Sequence, residues 1–396
     1  MVRPSILLAA LAACGGASSI PGDASPGIDA APGDIDARVN VGACGQLAAP
    51  GTWEAITPPG IVPAQGETVE TFAFAVDPVN SGTVYLGTIY QHMWKSTDCG
   101  STWARTDTGR NGGAWDHAMN WTFVVDPIEP DVVYTNSGYG TTQGSGLWKS
   151  VNGGADWDIL WPPPAQPELA THLTYNFANV LALDPADHRH LLLTFHEECT
   201  LPGVTTCIAE SKDAGATWAL LPGQPGWNGA EGQLLYFLDG PRTWIWGSQT
   251  SGFFRTADGG ATWKELVDET GASFFPSHLQ GAGMRRTAAG VFYLSASNGV
   301  YRSPDGIAWT LVPNTGPIAG GLVGDGTTLY MSRCYFGGFC TPGTDFLLTS
   351  PERDGLTWTP LRSPTMTEGG SLGYDPGHHL LYSSNGASGF WRVVTE

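Results

Sequence analysis

Two carboxylates and a set of histidines are the residues best suited to chemistry. Asp116 stands in Gly112-GAWDHAMNW, and Glu231 stands in Gly229-AEGQ. Paired carboxylates on either side of a glycosidic bond act as general acid and as base or nucleophile, so Asp116 and Glu231 are a candidate glycan-cleaving pair. His117, His196 and His278 are further candidates, one of them as a proton-abstracting base toward a uronate polysaccharide, with Tyr175 or Tyr139 as acid and Arg110 or Arg333 on the uronate. Imidazole is also the commonest transition-metal ligand, and His117, His172, His196 and His278 come from successive parts of the chain. No metal-ligand spacing accompanies them, and neither a metal nor another cofactor is assigned. Trp115, Trp121, Trp227, Phe275, His172 and Tyr175 supply flat rings and polar edges of the kind that suit sugar C–H faces and hydroxyls.

These residues are scattered, so the elements that position them must bring distant segments together. The chain repeats one short pattern: STDCGSTW at Ser96–Trp103, SVNGGADW at Ser150–Trp157, SKDAGATW at Ser211–Trp218 and TADGGATW at Thr256–Trp263. A shortened SPDGIAW ends at Trp309, and SPERDGLTW, ending at Trp358, has one extra residue. The turn chemistry follows from the residue types, with Asp accepting backbone N–H groups and Gly adopting positive φ. Before each copy come alternating strand patterns such as Thr71-FAFAVDP, Thr83-VYLGT and His92-MWKS. Thr52-Trp53 lacks a preceding copy, and Gly389-FWRVVTE lacks a following one. The two half-repeats complete each other, giving an all-β seven-bladed β-propeller whose ring is closed by the N-terminal strand joining the C-terminal blade. Antiparallel blades place every repeated turn on one face. The long loops fall on the other, along with all the candidates named above, and long loops on a rigid scaffold are where binding and catalysis concentrate.

The repeated pattern resembles the Asp-box of the sialidase-like, BNR-repeat superfamily. Asp77-PVNSGTVYLGT and Asp126-PIEPDVVYTN, each followed by Trp-Lys-Ser and a box, are similar to the xyloglucanase and sortilin-type branch. The resemblance implies the propeller fold and a glycan as ligand. It also implies a non-enzymatic alternative, since single propellers of this branch, such as the photosystem II assembly proteins, serve as binding or assembly factors. No sialidase Phe-Arg-Ile-Pro segment occurs. The Arg-Thr-Asp-x-Gly-Gly element that carries a xyloglucanase carboxylate is only echoed, by Arg105-TDTGR.

Composition sets the class. Among 396 residues there are 54 Gly, 29 Pro and 16 Trp, which suits many short strands joined by turns. The net charge of −19 excludes a phosphate-tracking nucleic-acid binder. Residues 1–13 read as a secretory signal, with Arg3 before an apolar run. Leu11-Ala12-Ala13-Cys14 resembles a bacterial lipobox, which implies acylation of Cys14, and Gly15 after it implies release to the outer membrane. Residues 14–43 read as a flexible, acidic Gly/Pro/Ala tether and residues 44–396 as the propeller. The six remaining cysteines imply disulfides in an exported protein. Cys199 with Cys207 and Cys334 with Cys340 are near in sequence, which leaves Cys44 and Cys99. The expected protein is a lipid-anchored propeller of the cell envelope that binds, and by one reading cleaves, a glycan at its long-loop face. The alternative is a scaffold that grips an envelope protein there.

Overall fold

The computed structural model describes residues 39–61, 71–116, 118–138, 145–171, 178–196, 208–222, 227, 232–277, 283–316, 319–333, 345–362 and 370–396. Seven four-stranded antiparallel sheets are arranged as the blades of a β-propeller. Blade I comprises Thr71–Val76, Val84–Thr88, Met93–Ser96 and Ala104–Arg105. Blades II to VI follow in chain order with the same strand succession. Blade VII is composite. Ser371–Asp375, Leu380–Ser384 and Phe390–Val394 supply three strands, and Trp53–Ala55 adds the fourth by pairing Trp53 with Val393 and Ala55 with Trp391. That pairing joins the two ends of the chain and removes the open edge an unclosed ring would carry. Between blades the core is apolar and aromatic, and the second strands of six blades are buried along their whole length.

The repeated turns have one geometry. In blade I the Ser96 hydroxyl donates to Asp98 Oδ1 at 2.8 Å and accepts the Gly100 N–H at 2.8 Å, while Asp98 accepts the N–H and hydroxyl of Thr102. The same bonds recur at Ser211 and Thr256. In the latter turn the hydrogen bonds from Thr262 and Thr256 hold the Asp258 carboxyl at about 2. The copy with an extra residue departs from this pattern. Glu352 takes the place of the Asp, and the buried Ser350 hydroxyl has no partner. In the first two copies the Trp then reaches between blades, Trp103 Nε1 donating to Ile56 O and Trp157 Nε1 to Thr106 O, whereas Trp218, Trp263 and Trp358 donate back to the Gly carbonyl of their own turn.

The ring seam carries extra fastenings. Cys44 and Cys99 form a disulfide with a Cα–Cα distance of 5.2 Å. Buried Arg392 donates to Glu54 Oε2 at 3.0 Å, to Cys99 O at 2.7 Å and to Ser101 Oγ at 3.2 Å. Asn40–Val41, inside the stretch read from composition as tether, pairs in parallel with Asn80–Ser81. His378 bridges that strap to the blades, with Nε2 donating to Gly42 O at 2.8 Å and Nδ1 beside Ser81 Oγ at 2.6 Å. Composition marks this strap as floppy because it is short of apolar residues, but its order comes from backbone pairing to an exposed edge, which composition does not report.

Candidate functional site

At the long-loop end of the blades, first strands peel away from second strands, with register shifts at Thr71/Phe74, Ala178/Leu181, Gly232/Leu234 and Ala319/Leu322. Peeling frees backbone groups that must be satisfied when buried. The penultimate residue of every second strand is small or polar, namely Gly87, Asn136, Thr194, Gly247, Ser295, Ser332 and Ser383, and at Asn136, Thr194 and Ser332 its side chain answers this need toward the next blade. Thr194 Oγ1 accepts the Val180 N–H at 3.0 Å and donates to Gly232 O, at the next blade's first strand, at 2.9 Å. Asn136 accepts the Trp121 N–H at 2.6 Å and donates to Ala178 O of the next blade. The Ser332 hydroxyl donates to Gly370 O in the same manner. In blade I the position is Gly87, and Asn120 of the neighbouring blade fills the space that a Cβ there would need, 2.6 Å away. Asn120 donates to Thr135 Oγ1 and Asn136 O, yet its buried Oδ1 has no partner. A polar belt therefore ties blade II to III, III to IV and VI to VII just below the loop face. A period of one residue per blade, at strand ends 37 to 58 residues apart, was the sequence signal for it.

Most ring-bearing candidates serve the wall rather than the surface. Trp115 is fully buried, donates to Asn136 O at 3.1 Å, and packs on Trp148 and Trp157 at 5.4 and 5.1 Å. Trp227 is buried and stacks on Trp246 at 4.2 Å. Trp121 is buried edge-on against Phe72 at 4.8 Å, with His196, itself buried, 6.1 Å away. Neither indole face of Trp115 or Trp227 is free to carry a sugar, because tryptophans of this size close the gaps between splayed blades. Phe275 is half-buried, and its carbonyl accepts the Ser297 N–H. Arg110 is committed to Asp158 of blade II's outermost strand, far from a central mouth. Arg333 donates to Asn314 O at 2.7 Å. His117, Glu231, His278, His172, Tyr139, Tyr175, Cys14, Cys199, Cys207, Cys334 and Cys340 lie outside the described residues.

Asp116 is the candidate that the structure joins to other chemical groups. It caps the 3-10 helix Gly112–Trp115, and its carboxylate is 53% exposed. That helix sits hard against blade I: a Cβ at Gly112 would lie 1.9 Å from Asp107 O, so only glycine permits the approach. The approach sets Asp116 Oδ1 3.5 Å from Nδ1 of His92, at the head of blade I's third strand. Asp107, just past the fourth strand, places Oδ2 2.9 Å from the same Nδ1. Arg105 Nε donates to Asp107 Oδ1 at 2.9 Å. The Asp107 side chain is wholly buried, which works against its charge. Hydrogen bonds from His92 and Arg105 outweigh that burial and hold its pKa below the ordinary carboxylate value. The loop presenting His92 is strained, with φ of 64° at Tyr90 and 72° at His92, a conformation costing about 1–3 kcal/mol per residue that collects at functional sites. His92 Nε2 has no partner among the described residues and the side chain is partly exposed. Sequence reading met His92 only at the head of a strand pattern and did not couple it to Asp107, because three segments 9 to 15 residues apart meet through strand pairing rather than a local motif.

The histidines on the opposite, box-turn face are fastenings. His188 pairs with Asp126 of the neighbouring blade at 2.6 Å. His190 lies between Asp184 and Glu210 at 2.8 and 2.9 Å. Burial would lower the His190 pKa, but those two carboxylates raise it to about 9.

No family model matches the chain. In an alignment 319 residues long that takes in 69% of this chain, it is 25% identical to a xyloglucanase of Hypocrea jecorina, of which it covers 36%. The chain spans about a third or less of the length of the curated relatives it matches. A xyloglucanase structure from Xanthomonas campestris superposes with a TM-score of 0.58 at 16% identity, over 87% of this chain and 54% of that one. The structure of YCF48 bound to D1 peptide superposes with a TM-score of 0.57 at 14% identity, over 90% of this chain and all of that one. The chain is thus similar in sequence to xyloglucanases over most of its blade ring, and its fold is that of a seven-bladed β-propeller.

Proposed function

We propose that the protein is an exported, lipid-anchored propeller that holds a neutral polysaccharide of the xyloglucan kind at its long-loop face, with Asp116 among the groups that meet the sugar. The observation that carries this reading is the likeness to a xyloglucanase over 69% of this chain, most of the blade ring. The charge of −19 supports a neutral ligand, because a polyuronate would be repelled. Asp116 offers a solvent-facing carboxylate at the blade I–II junction as an acceptor for hydroxyls. Affinity electrophoresis in gels cast with xyloglucan or with polygalacturonate tests the reading. Xyloglucan is expected to retard the protein, polygalacturonate is not, and Asp116→Ala is expected to weaken retardation about tenfold, a loss typical of one charge-assisted hydrogen bond. Equal mobility in all gels would reject it. New reducing ends in the same mixtures distinguish cleaving from holding.

The full coverage of the peptide-bound YCF48 chain favours a second reading. A single propeller of this size then grips an envelope protein by the same loops. Photo-crosslinking from position 116 in intact cells that yields a protein adduct, with no xyloglucan retardation, selects it. Anchoring is tested separately: Cys14→Ser is expected to move the protein from the membrane to the soluble fraction, and unchanged partitioning would reject the anchor.

A further inference from the structure

We propose that His92, Asp107 and Asp116 form a binding site for a divalent transition-metal ion of the zinc or manganese class, gated by Arg105. The three ligand atoms, His92 Nδ1, Asp107 Oδ2 and Asp116 Oδ1, all lie within 4.8 Å of one another. The two edges from Nδ1 are 2.9 and 3.5 Å, which suit one ion with bonds of roughly 2 Å. One imidazole and two carboxylates favour a first-row divalent ion over calcium or magnesium, which prefer all-oxygen shells.

What points to a ligand is a conflict at a single nitrogen. Nδ1 of His92 is met at 2.9 Å by an acceptor, Asp107 Oδ2, and at 2.9 Å by a donor, Arg105 Nη2. A ring nitrogen either carries a proton or offers a lone pair. Protonated Nδ1 satisfies Asp107 but faces the Arg105 N–H; deprotonated Nδ1 accepts from Arg105 but faces a carboxylate. No protonation state of His92 resolves both contacts. A cation does: the lone pair and both carboxylates turn to it, and Nη2 swings into solvent while Nε keeps its bond to Asp107 Oδ1. Arg105 is free to make that movement because its side chain is 37% exposed. Without metal its guanidinium covers the lone pair, so the arginine competes with the ion. Three ligands leave coordination positions open toward the loop face.

The inference does not depend on the glycan reading, and its test uses no glycan. Full-length mature protein is stripped with a chelator, dialysed, and titrated with zinc chloride and with manganese chloride by calorimetry. One ion per chain is expected to bind. His92→Ala and Asp116→Ala, both at exposed or partly exposed positions, are expected to weaken binding at least tenfold while circular dichroism stays unchanged. Arg105→Gln, which removes the competing charge, is expected to tighten binding several-fold. That last shift distinguishes this site from incidental binding by other histidines. Absence of a one-to-one event, equal affinity in the His92 and Asp116 variants, or weaker binding in Arg105→Gln would each overturn the proposal.

Discussion

At the scale of single residues, titratable groups divide into those that fasten blades and those that face the loops. His190 belongs to the first kind. Its folded pKa of about 9 lies above the ordinary histidine value, so its contribution is complete below about pH 6.5 and disappears as pH rises through about 9. The difference in unfolding free energy between wild type and His190→Gln is expected to be roughly 2–3 kcal/mol at pH 6 and to shrink toward zero at pH 10. Urea titrations at the two pH values measure it, and a constant difference would show that the charge pair is not what fastens this blade. Trp115 belongs to neither kind. As a buried wall residue, Trp115→Ala is expected to cost about 3–5 kcal/mol, read from urea unfolding, and to leave polysaccharide retardation intact at temperatures where the variant is folded. Residue types were legible in the sequence, but their side of the wall was not. A tryptophan looks the same in a sugar platform and in a gap between blades, whereas Asp116 is recognisable once Gly112 forces its helix onto Asp107.

At the scale of elements, the repeated turn is a hydrogen-bonded unit, and its departures have consequences. Ser211 both donates to Asp213 and accepts the Gly215 N–H, so Ser211→Ala is expected to cost about 1–2 kcal/mol. Ser350, whose buried hydroxyl has no partner, is expected to tolerate alanine with no loss or a slight gain. Thermal melts of the two variants make the comparison, and equal losses would contradict the unit. The turns and strands were legible because Asp, Gly and Trp recur at fixed offsets and because alternating runs such as Thr71-FAFAV admit one reading. The polar belt was not, since it consists of one small or polar residue per blade, and its meaning appears only when first strands are seen to peel away. Nor was the meeting of His92 with Asp107, which antiparallel pairing of the third and fourth strands of blade I produces.

At the scale of the whole molecule, the ring is held shut where its ends meet. The short strand at Trp53, the disulfide of Cys44 with Cys99 and the shared ligands of Arg392 all act at that seam. The disulfide spans 55 residues, a loop length for which chain-entropy arguments give about 4 kcal/mol. The double variant Cys44→Ser/Cys99→Ser is expected to lose stability of that order in urea, and an unchanged midpoint would mean that strand pairing alone closes the ring. Closure was legible from the two half-repeats, because neither makes a blade alone. Ligand placement at this scale rests on the segregation of loops, with fastening histidines on one face and the Asp116–His92 group on the other. Hydrogen–deuterium exchange of the protein with and without xyloglucan oligosaccharide tests that claim most directly. Protection confined to the loop-face segments 88–93 and 105–116 is the expected result; protection over the box turns, or none anywhere, would contradict it.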